Sequence, residues 1–252
     1  MTVETPAPRR SRHREPDPKY MTFVEHLDEL RRRLIISVAA IAVGSVGGWF
    51  LFNSVLTLLK QPLCKYLPHN CTLYASDIYG LFTLQLKTAV VLGFMFALPV
   101  TIWQLWLFVA PAFGPKANTW APIWMTSALL LFVGGVAVGY EVVPLAVKFF
   151  GGFQKNGLAL LLFASSYINF IVLVLVVFGI SFELPLVLVS LSAAGITSSR
   201  WLASKRLIFF FGVFIFATVA TPGADWISPL VLGSILYVLF EVSIAVSRLI
   251  GK

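Results

Sequence analysis

Three sets of residues in this sequence have side chains and positions that could carry chemistry. Glu29 precedes a long apolar run, within a short stretch rich in arginine. Glu183 is the one charge in an apolar segment of about 40 residues, longer than the roughly 20 that span a bilayer. Cys64 and Cys71 share one polar loop. Carboxylates in such places can bind cationic or polar groups, and the cysteines can pair.

Glu29 has two interpretations from its spacing. Glutamate and arginine four residues apart on a helix commonly pair, as Glu29 with Arg33 and Asp28 with Arg32 would. A carboxylate near a dry surface can instead bind an external guanidinium group bidentately, which recognition of paired arginines requires. The spacing alone favours the internal pair.

Glu183 is expected to face a wet, concave pocket rather than lipid. An ionised carboxylate exposed to hydrocarbon is costly, so such residues face a bundle interior or water. Pro185 beside it can open the local backbone to a polar partner. The alternative is a protonated glutamate that hydrogen-bonds a neighbouring helix.

No motif in the sequence indicates a catalytic site. Cys64 and Cys71 can form a disulfide or remain reduced thiols, and no His- or Cys-rich metal spacing accompanies them. Zinc-helix, serine–histidine, aspartyl-pair and Walker A motifs are not found. We therefore expect no enzyme, no catalytic residue, no metal and no cofactor.

The elements that must position these residues are membrane helices. Of the 252 residues, 58% are hydrophobic and 12% charged, and the apolar residues come in runs of about 20. The sequence predicts an all-α integral membrane protein with six transmembrane helices, the last two short. The predicted spans are 34–59, 88–110, 121–140, 157–194, 207–220 and 227–240. Gly44 and Gly48 in the first span have a spacing that favours close helix packing.

Basic residues predict the orientation. With both termini in the cytoplasm, 14 lysines and arginines lie inside and five outside, as the positive-inside rule favours. We therefore attribute the net charge of +8 to the orientation of the chain in the membrane and to attraction to anionic lipid, not to nucleic-acid binding. Residues 1–19 are predicted to be a disordered basic tail, and residues 20–252 one membrane domain with an amphipathic helix at 22–33.

Five segments of the chain, in order, resemble signatures of the TatC family, the polytopic subunit of the twin-arginine protein translocase. The residues that carry the resemblance are HLDELRRR at 26–33; Phe82, Lys87, Pro99, Gln104, Trp106, Phe108 and Pro111; Phe178, Gly179, Phe182, Glu183 and Pro185; Thr221, Pro222 and Asp225; and Tyr237, Leu239, Phe240, Glu241 and Arg248.

The resemblance implies a function and partners. Proteins of this family bind twin-arginine signal peptides and nucleate the complex that exports folded proteins with the proton-motive force. Expected partners are single-span TatA- and TatB-type proteins, signal peptides and further copies of the chain, in a bacterial plasma membrane. The signal-peptide site would comprise Leu27, Glu29, Leu30, Arg31 and Phe108, with Glu29 on the family's glutamate. A polar intramembrane site for a partner would comprise Gln104, Glu183 and Asp225.

One position departs from the family pattern. The loop at 111–118 has Ala117 where the family has a second glutamate that completes the signal-peptide site. We therefore expect weaker recognition, or a divergent TatC paralogue with altered recognition. A secondary transporter of small solutes is the other alternative. It predicts two related halves, and spans 1–3 show no match to spans 4–6.

Overall fold

Long apolar runs become helices because hydrocarbon offers no partner for backbone polar groups, which a helix satisfies internally. A computed structural model describes residues 23–66, 71–75, 77–111, 113, 117–152, 161–220 and 226–250. Its helices are α1 (Phe23–Tyr66), α2 (Gly80–Val109), α3 (Ala117–Gly151), α4 (Ala164–Ser181), α5 (Leu184–Ala193), α6 (Ser199–Ser204), α7 (Arg206–Ala220) and α8 (Ile227–Leu249). The predicted tail at 1–19 lies outside the described residues.

The all-helical membrane fold is confirmed. Within the described residues, five helical segments are long and apolar enough to cross a membrane: α1, α2, α3, α4 with α5, and α8. The predicted fifth span is α7, which is apolar but has 15 residues. Its length of about 22 Å is shorter than a hydrocarbon core of about 30 Å.

The last helix is longer than predicted. A 14-residue span ending at Phe240 is wrong, because α8 has 23 residues and continues to Leu249. Glu241 does not end it, since its carboxylate accepts hydrogen bonds from Arg206 Nη2 at 2.7 Å and Tyr237 Oη at 3.3 Å. A compensated charge can remain within a helix, so only one of the last two helices is short.

Helix α1 is one continuous rod of 44 residues. From Phe23 onwards, the amphipathic segment predicted at 22–33 runs directly into the first span. The sequence has no proline between Phe23 and Gln61 to interrupt it. At about 1.5 Å per residue the helix is roughly 66 Å long, about twice the hydrocarbon thickness.

Pro62 lies inside α1, beyond the predicted end of the first span at residue 59. Proline has no N–H, so it leaves the carbonyl of Leu58 without its usual helical partner. Tyr140 Oη donates to that carbonyl at 3.0 Å, and Tyr167 Oη donates to Leu59 O at 3.0 Å. Helices α3 and α4 thus supply hydrogen bonds that support the last turn of α1.

The Cys64–Cys71 end of the bundle is cross-linked. A disulfide joins the two cysteines, whose Cα atoms are 4.8 Å apart. Beyond it, Tyr74 N donates to Leu162 O at 2.9 Å, and Ala164 N donates to Tyr74 O at 2.8 Å. A covalent bond and a short parallel bridge therefore connect α1, the segment that follows it and the start of α4.

Helices α1 and α2 pack at backbone distance. A Cβ atom on Gly44 would lie 2.7 Å from Gly93 O, and one on Gly48 would lie 2.6 Å from Ala89 O. Both distances are shorter than side-chain carbons tolerate, so these positions require glycine. The close packing predicted from the spacing of Gly44 and Gly48 is confirmed.

Candidate functional site

Glu29 lies on the face of α1 that turns towards α2. Its side chain and that of Arg33 are about 20% and 19% exposed, and Ser37, one turn further along this face, is buried. Arg33 Nε donates to Glu29 Oε1 at 3.1 Å, and Arg33 Nη2 donates to the same oxygen. The internal pair that the spacing favours is therefore present, but it uses only one carboxylate oxygen.

The other carboxylate oxygen has no partner. Glu29 Oε2 is buried from solvent and has no hydrogen-bond partner among the described residues. A buried, unsatisfied acceptor costs about 1–3 kcal/mol, and more when it is charged. A cationic donor that reached this atom would recover that free energy, so Glu29 can bind a guanidinium group without losing Arg33.

Phe108 is brought to the same end of the molecule. Near the C-terminus of α2, its ring stacks on His26 with centroids 4.6 Å apart and planes inclined by 23°. His26 precedes Glu29 by three residues, which is nearly one helical turn. Glu29 and Phe108 therefore border one region where α1 meets α2, which we call the Glu29 end.

Three residues predicted to share the signal-peptide site with Glu29 lie on other faces of α1. Leu27 and Leu30 are 47% and 42% exposed, and Arg31 is also exposed. At 100° per residue, Leu27 and Arg31 lie about 160° around the helix from Glu29, and Leu30 about 100°. The structure thus groups Glu29 with His26 and Phe108, and it leaves Leu27 and Arg31 on the outward side of α1.

Ala117 begins α3 at the Glu29 end of the bundle. It packs against an aromatic cluster that contains Trp106 of α2 and Trp124 of α3, with ring centroids 5.3 Å apart. Trp124 Nε1 in turn donates to Ser190 Oγ of α5 at 2.9 Å. These contacts place the start of α3 and the end of α5 at the same end as the last turns of α2.

Glu183 lies at a break in the fourth span. Helix α4 ends at Ser181 and α5 begins at Leu184. Pro185, near the start of α5, cannot donate to the carbonyl of Ser181, so the helical ladder is interrupted there. Glu183, half-buried at this break, lines a cavity of about 990 Å³ between α5 and α7. The concavity predicted at Glu183 is present, and the side chains that line it are mainly apolar.

The polar atoms of this cavity differ from those predicted. Ser181 Oγ and Thr197 Oγ1 are buried without hydrogen-bond partners among the described residues, and both residues line the cavity with Glu183. Gln104 is half-buried in α2 and does not line it, and Asp225 lies outside the described residues. Ser181 could have been noticed as a polar residue two positions before Glu183, whereas the contribution of Thr197 depends on a later turn.

That turn is set by Gly195. With φ of 78°, it ends α5 in the left-handed region that favours glycine. Ile196 N donates to Leu191 O at 3.0 Å and Gly195 N to Ser192 O at 3.0 Å, which is a Schellman motif. The chain then turns into α6, where Ser198 Oγ accepts from Trp201 N at 3.2 Å as the helix cap.

Helix α6 borders one end of the cavity. Trp201 and Lys205 both line the cavity there, beyond the opposite end of α5 from Glu183. Trp201 is 53% exposed and the neighbouring Arg200 is exposed. The cavity therefore has an apolar body, a carboxyl group at depth and a basic, aromatic mouth.

Comparisons with known proteins identify the family. A sequence model of the family described as "Sec-independent protein translocase protein (TatC)" matches residues 25–234. The chain is 34% identical over 235 residues to TatC of Carboxydothermus hydrogenoformans, covering 93% of this chain and 96% of that one. It is 35% identical over 232 residues to TatC of Aquifex aeolicus, with 91% and 95% covered. For TatC of Escherichia coli K12 the identity is 32%, with 91% and 90% covered.

A solved structure agrees with the sequence relatives. The crystal structure described as "Twin Arginine Translocase Receptor- TatC" superposes with a TM-score of 0.79 at 33% identity, covering 90% of this chain and all of that one. These matches do not favour a transporter of small solutes or a divergent paralogue. The apolar helices and the bacterial relatives locate the chain in the plasma membrane. The chain belongs to the TatC family and is a membrane subunit of the twin-arginine translocase.

Proposed function

We propose that this subunit binds twin-arginine signal peptides at the Glu29 end and nucleates the complex that exports folded proteins. The observation that carries the proposal is the unpartnered, buried oxygen Glu29 Oε2. The related crystal structure is described as a translocase receptor, which supports a binding role. Transport would be driven by the proton-motive force, and the subunit would act by binding rather than by catalysis.

The geometry around Glu29 suits binding of one arginine side chain of the signal peptide. Arg33 holds Oε1 from within the same helix, which fixes the carboxylate and directs its second oxygen away from that pair. A guanidinium group can then form a charge-assisted hydrogen bond to Oε2. The stacked rings of His26 and Phe108 border this region and offer an apolar surface for neighbouring signal residues.

The outward face of α1 offers a second surface. Leu27 and Leu30 are both more than two-fifths exposed. A signal peptide whose arginine reaches Glu29 could place its apolar segment across Leu30, which lies between Glu29 and Leu27 around the helix. Leu27 and Arg31 would then contact the flanks of the peptide rather than the arginine pair.

Matched neutral variants test the role of Glu29. We expect Glu29→Gln to weaken binding of a twin-arginine peptide by about 10- to 100-fold, because a charge-assisted hydrogen bond contributes about 1.5–3 kcal/mol. Asp28→Asn removes an exposed carboxylate from the adjacent position and serves as the control. A Lys-Lys peptide should bind the parent more weakly than the Arg-Arg peptide. Equal affinities of the two variants would contradict the proposal.

A photo-crosslinker tests the outward face separately. Placed at position 27, it should capture the signal peptide under conditions where cargo binds. Position 43 on the same helix is the control, since Val43 is 75% exposed and lies far from the Glu29 end. Capture at position 43 but not at 27 would show that the peptide lies elsewhere on α1.

We further propose that the cavity holding Glu183 receives the single transmembrane helix of a TatA- or TatB-type partner. Glu183 and Ser181 lie within the apolar wall, where a polar side chain of a partner helix could pair with them. Gln104 and Asp225 remain candidates for the same partner, although Gln104 does not line this cavity. The assembled complex is proposed to contain several copies of the chain.

Co-purification of the partner protein with variants of this chain tests whether Glu183 contacts the partner. Glu183→Gln keeps hydrogen-bonding atoms and should retain much of the partner, whereas Glu183→Leu should lose it. Glu141→Leu changes an exposed glutamate of α3 in the same way and should retain the partner. If the Glu183→Leu protein assembles and transports as well as the parent, Glu183 makes no such contact.

A further inference from the structure

The cavity between α5 and α7 has the chemistry of a site for an amphiphile. Its body is lined by apolar side chains of α5, α7 and α8, including Val187, Leu191, Phe216 and Leu236. Residues of both α5 and α7 line the cavity, and Val187 and Phe216 on its two sides are about half exposed. An apolar chain from the membrane could therefore reach the cavity between these helices.

The depth of the cavity matches one lipid leaflet. Helix α5 separates Glu183, at one end, from the turn that leads to α6 at the other. Its ten residues rise about 15 Å, which is half of a hydrocarbon core of about 30 Å. An acyl chain that starts at α6 would therefore end near the level of Glu183.

The mouth of the cavity is basic and carries an unsatisfied hydroxyl group. Lys205 and Trp201 line it, Arg200 is exposed beside them, and Thr197 Oγ1 is buried without a partner. The ion pairs found among the described residues are Arg33–Glu29 and Arg206–Glu241, and neither uses Lys205. The charge at this mouth is thus available to an anion.

We propose that, in the absence of a partner helix, one anionic phospholipid of the cytoplasmic leaflet occupies this cavity. Its acyl chain lies between α5 and α7, and its phosphate contacts Lys205 and Thr197. The predicted orientation places α6 at the cytoplasmic surface, where anionic headgroups attract basic residues. The inference concerns the chain alone and does not rest on the proposed contact with a partner.

Photolabelling in nanodiscs tests the proposal with the full chain and no partner. The probes are phosphatidylglycerol and phosphatidylcholine, each with a diazirine in one acyl chain. Labelling of the cavity-lining residues Val187, Leu191 and Phe216 is compared with labelling of Val43, Val46 and Phe50, which are exposed on α1 and report ordinary surrounding lipid. We expect phosphatidylglycerol to label the walls in excess of that reference, and phosphatidylcholine to show no such excess.

Charge variants test the headgroup. Lys205→Gln should reduce the excess labelling by phosphatidylglycerol about fivefold, since one basic residue near an anionic surface contributes about 1 kcal/mol. Arg248→Gln removes an exposed charge in the last turn of α8, away from the cavity lining, and should leave labelling unchanged. If both variants label like the parent, no specific headgroup contact exists and the proposal is overturned.

Glycine variants test the acyl chain. Gly212 lines the cavity, and a Cβ atom there would meet nothing within 4 Å, so Gly212→Phe can fill the space without a clash. Gly134 in α3 has the same open surroundings but does not line the cavity, so Gly134→Phe is the matched control. Gly212→Phe should abolish the excess labelling and Gly134→Phe should not. Unchanged labelling in the Gly212→Phe protein would overturn the proposal.

Discussion

The two ends of α1 differ in how fully their polar groups are satisfied. At the disulfide end, the carbonyls of Leu58 and Leu59 accept tyrosine hydroxyl groups, and the Cys64–Cys71 bridge follows. At the other end, Glu29 keeps a buried oxygen without a partner. Unsatisfied polar groups weaken a fold but can bind a ligand. One end of this helix therefore stabilises the protein, and the other is suited to recognition.

Removing the disulfide should produce the largest change in stability. In Cys64→Ser with Cys71→Ser, the short chain loop between positions 64 and 71 is no longer closed, and we expect the free energy of unfolding to fall by about 2–3 kcal/mol. Denaturant unfolding in detergent measures the loss, with the parent under reducing conditions as a second comparison. Twin-arginine peptide affinity should stay the same. A loss of affinity equal to the loss of stability would show that the two ends are coupled.

Adding an acid at the Glu29 end should change recognition and leave stability nearly unaltered. Ala117→Glu supplies a second carboxylate for a second guanidinium group, and we expect binding to strengthen by about 1.5–3 kcal/mol. Peptide titration measures this, and Ala117→Gln controls for size. An unchanged affinity would mean that another acid already serves, with Asp28 the nearest exposed one.

Tyrosine variants test the hydrogen bonds that support the proline turn. Tyr140→Phe leaves Leu58 O without a donor and should lower the free energy of unfolding by about 1 kcal/mol. Tyr79→Phe changes a tyrosine that is 71% exposed and should have little effect. If both variants are as stable as the parent, α1 does not need the hydroxyl group of Tyr140 to continue past Pro62.

Arg33→Lys should produce the smallest change in stability. Lysine keeps a cation four residues from Glu29, and a pair at this spacing contributes about 0.2–0.5 kcal/mol, so the free energy of unfolding should shift by no more than this. Lysine has a single nitrogen, whereas Arg33 donates to Glu29 Oε1 from two. Peptide affinity should be retained, because a cation still holds Oε1. A strong loss of binding would mean that the two donors of Arg33 are required to orient Glu29.

Local patterns predicted much of the fold. The apolar runs gave the membrane helices, and the Gly44 and Gly48 spacing gave the contact with α2, because each signal lies within one helix. The first and last helices continue past the predicted span ends at residues 59 and 240. Pro62 and Glu241 can lie within these helices because Tyr140 and Arg206, which are distant in sequence, donate hydrogen bonds to Leu58 O and to the Glu241 carboxylate.

The candidate sites were predicted only in part, because some of their features also depend on contacts between residues that are distant in sequence. The pair of Glu29 with Arg33 follows from spacing, and a pocket at Glu183 follows from the cost of its burial. The orphaned oxygen of Glu29 could not be foreseen, because it depends on how α2 packs against α1. Likewise, Thr197 reaches the cavity only because Gly195 reverses the chain after α5.

The bridge between Tyr74 and the start of α4 has a consequence for biosynthesis. Its second residue, Phe163, follows Tyr74 by roughly 90 positions, so at 5–20 residues per second the ribosome makes that segment about 5–20 s after the first. Throughout this interval the nascent α1–α2 hairpin lacks the backbone partners that it has in the finished protein. The cysteines, seven positions apart, can pair before α4 is made. The early disulfide would restrict the segment that holds Tyr74 until the segment that holds Phe163 is synthesised.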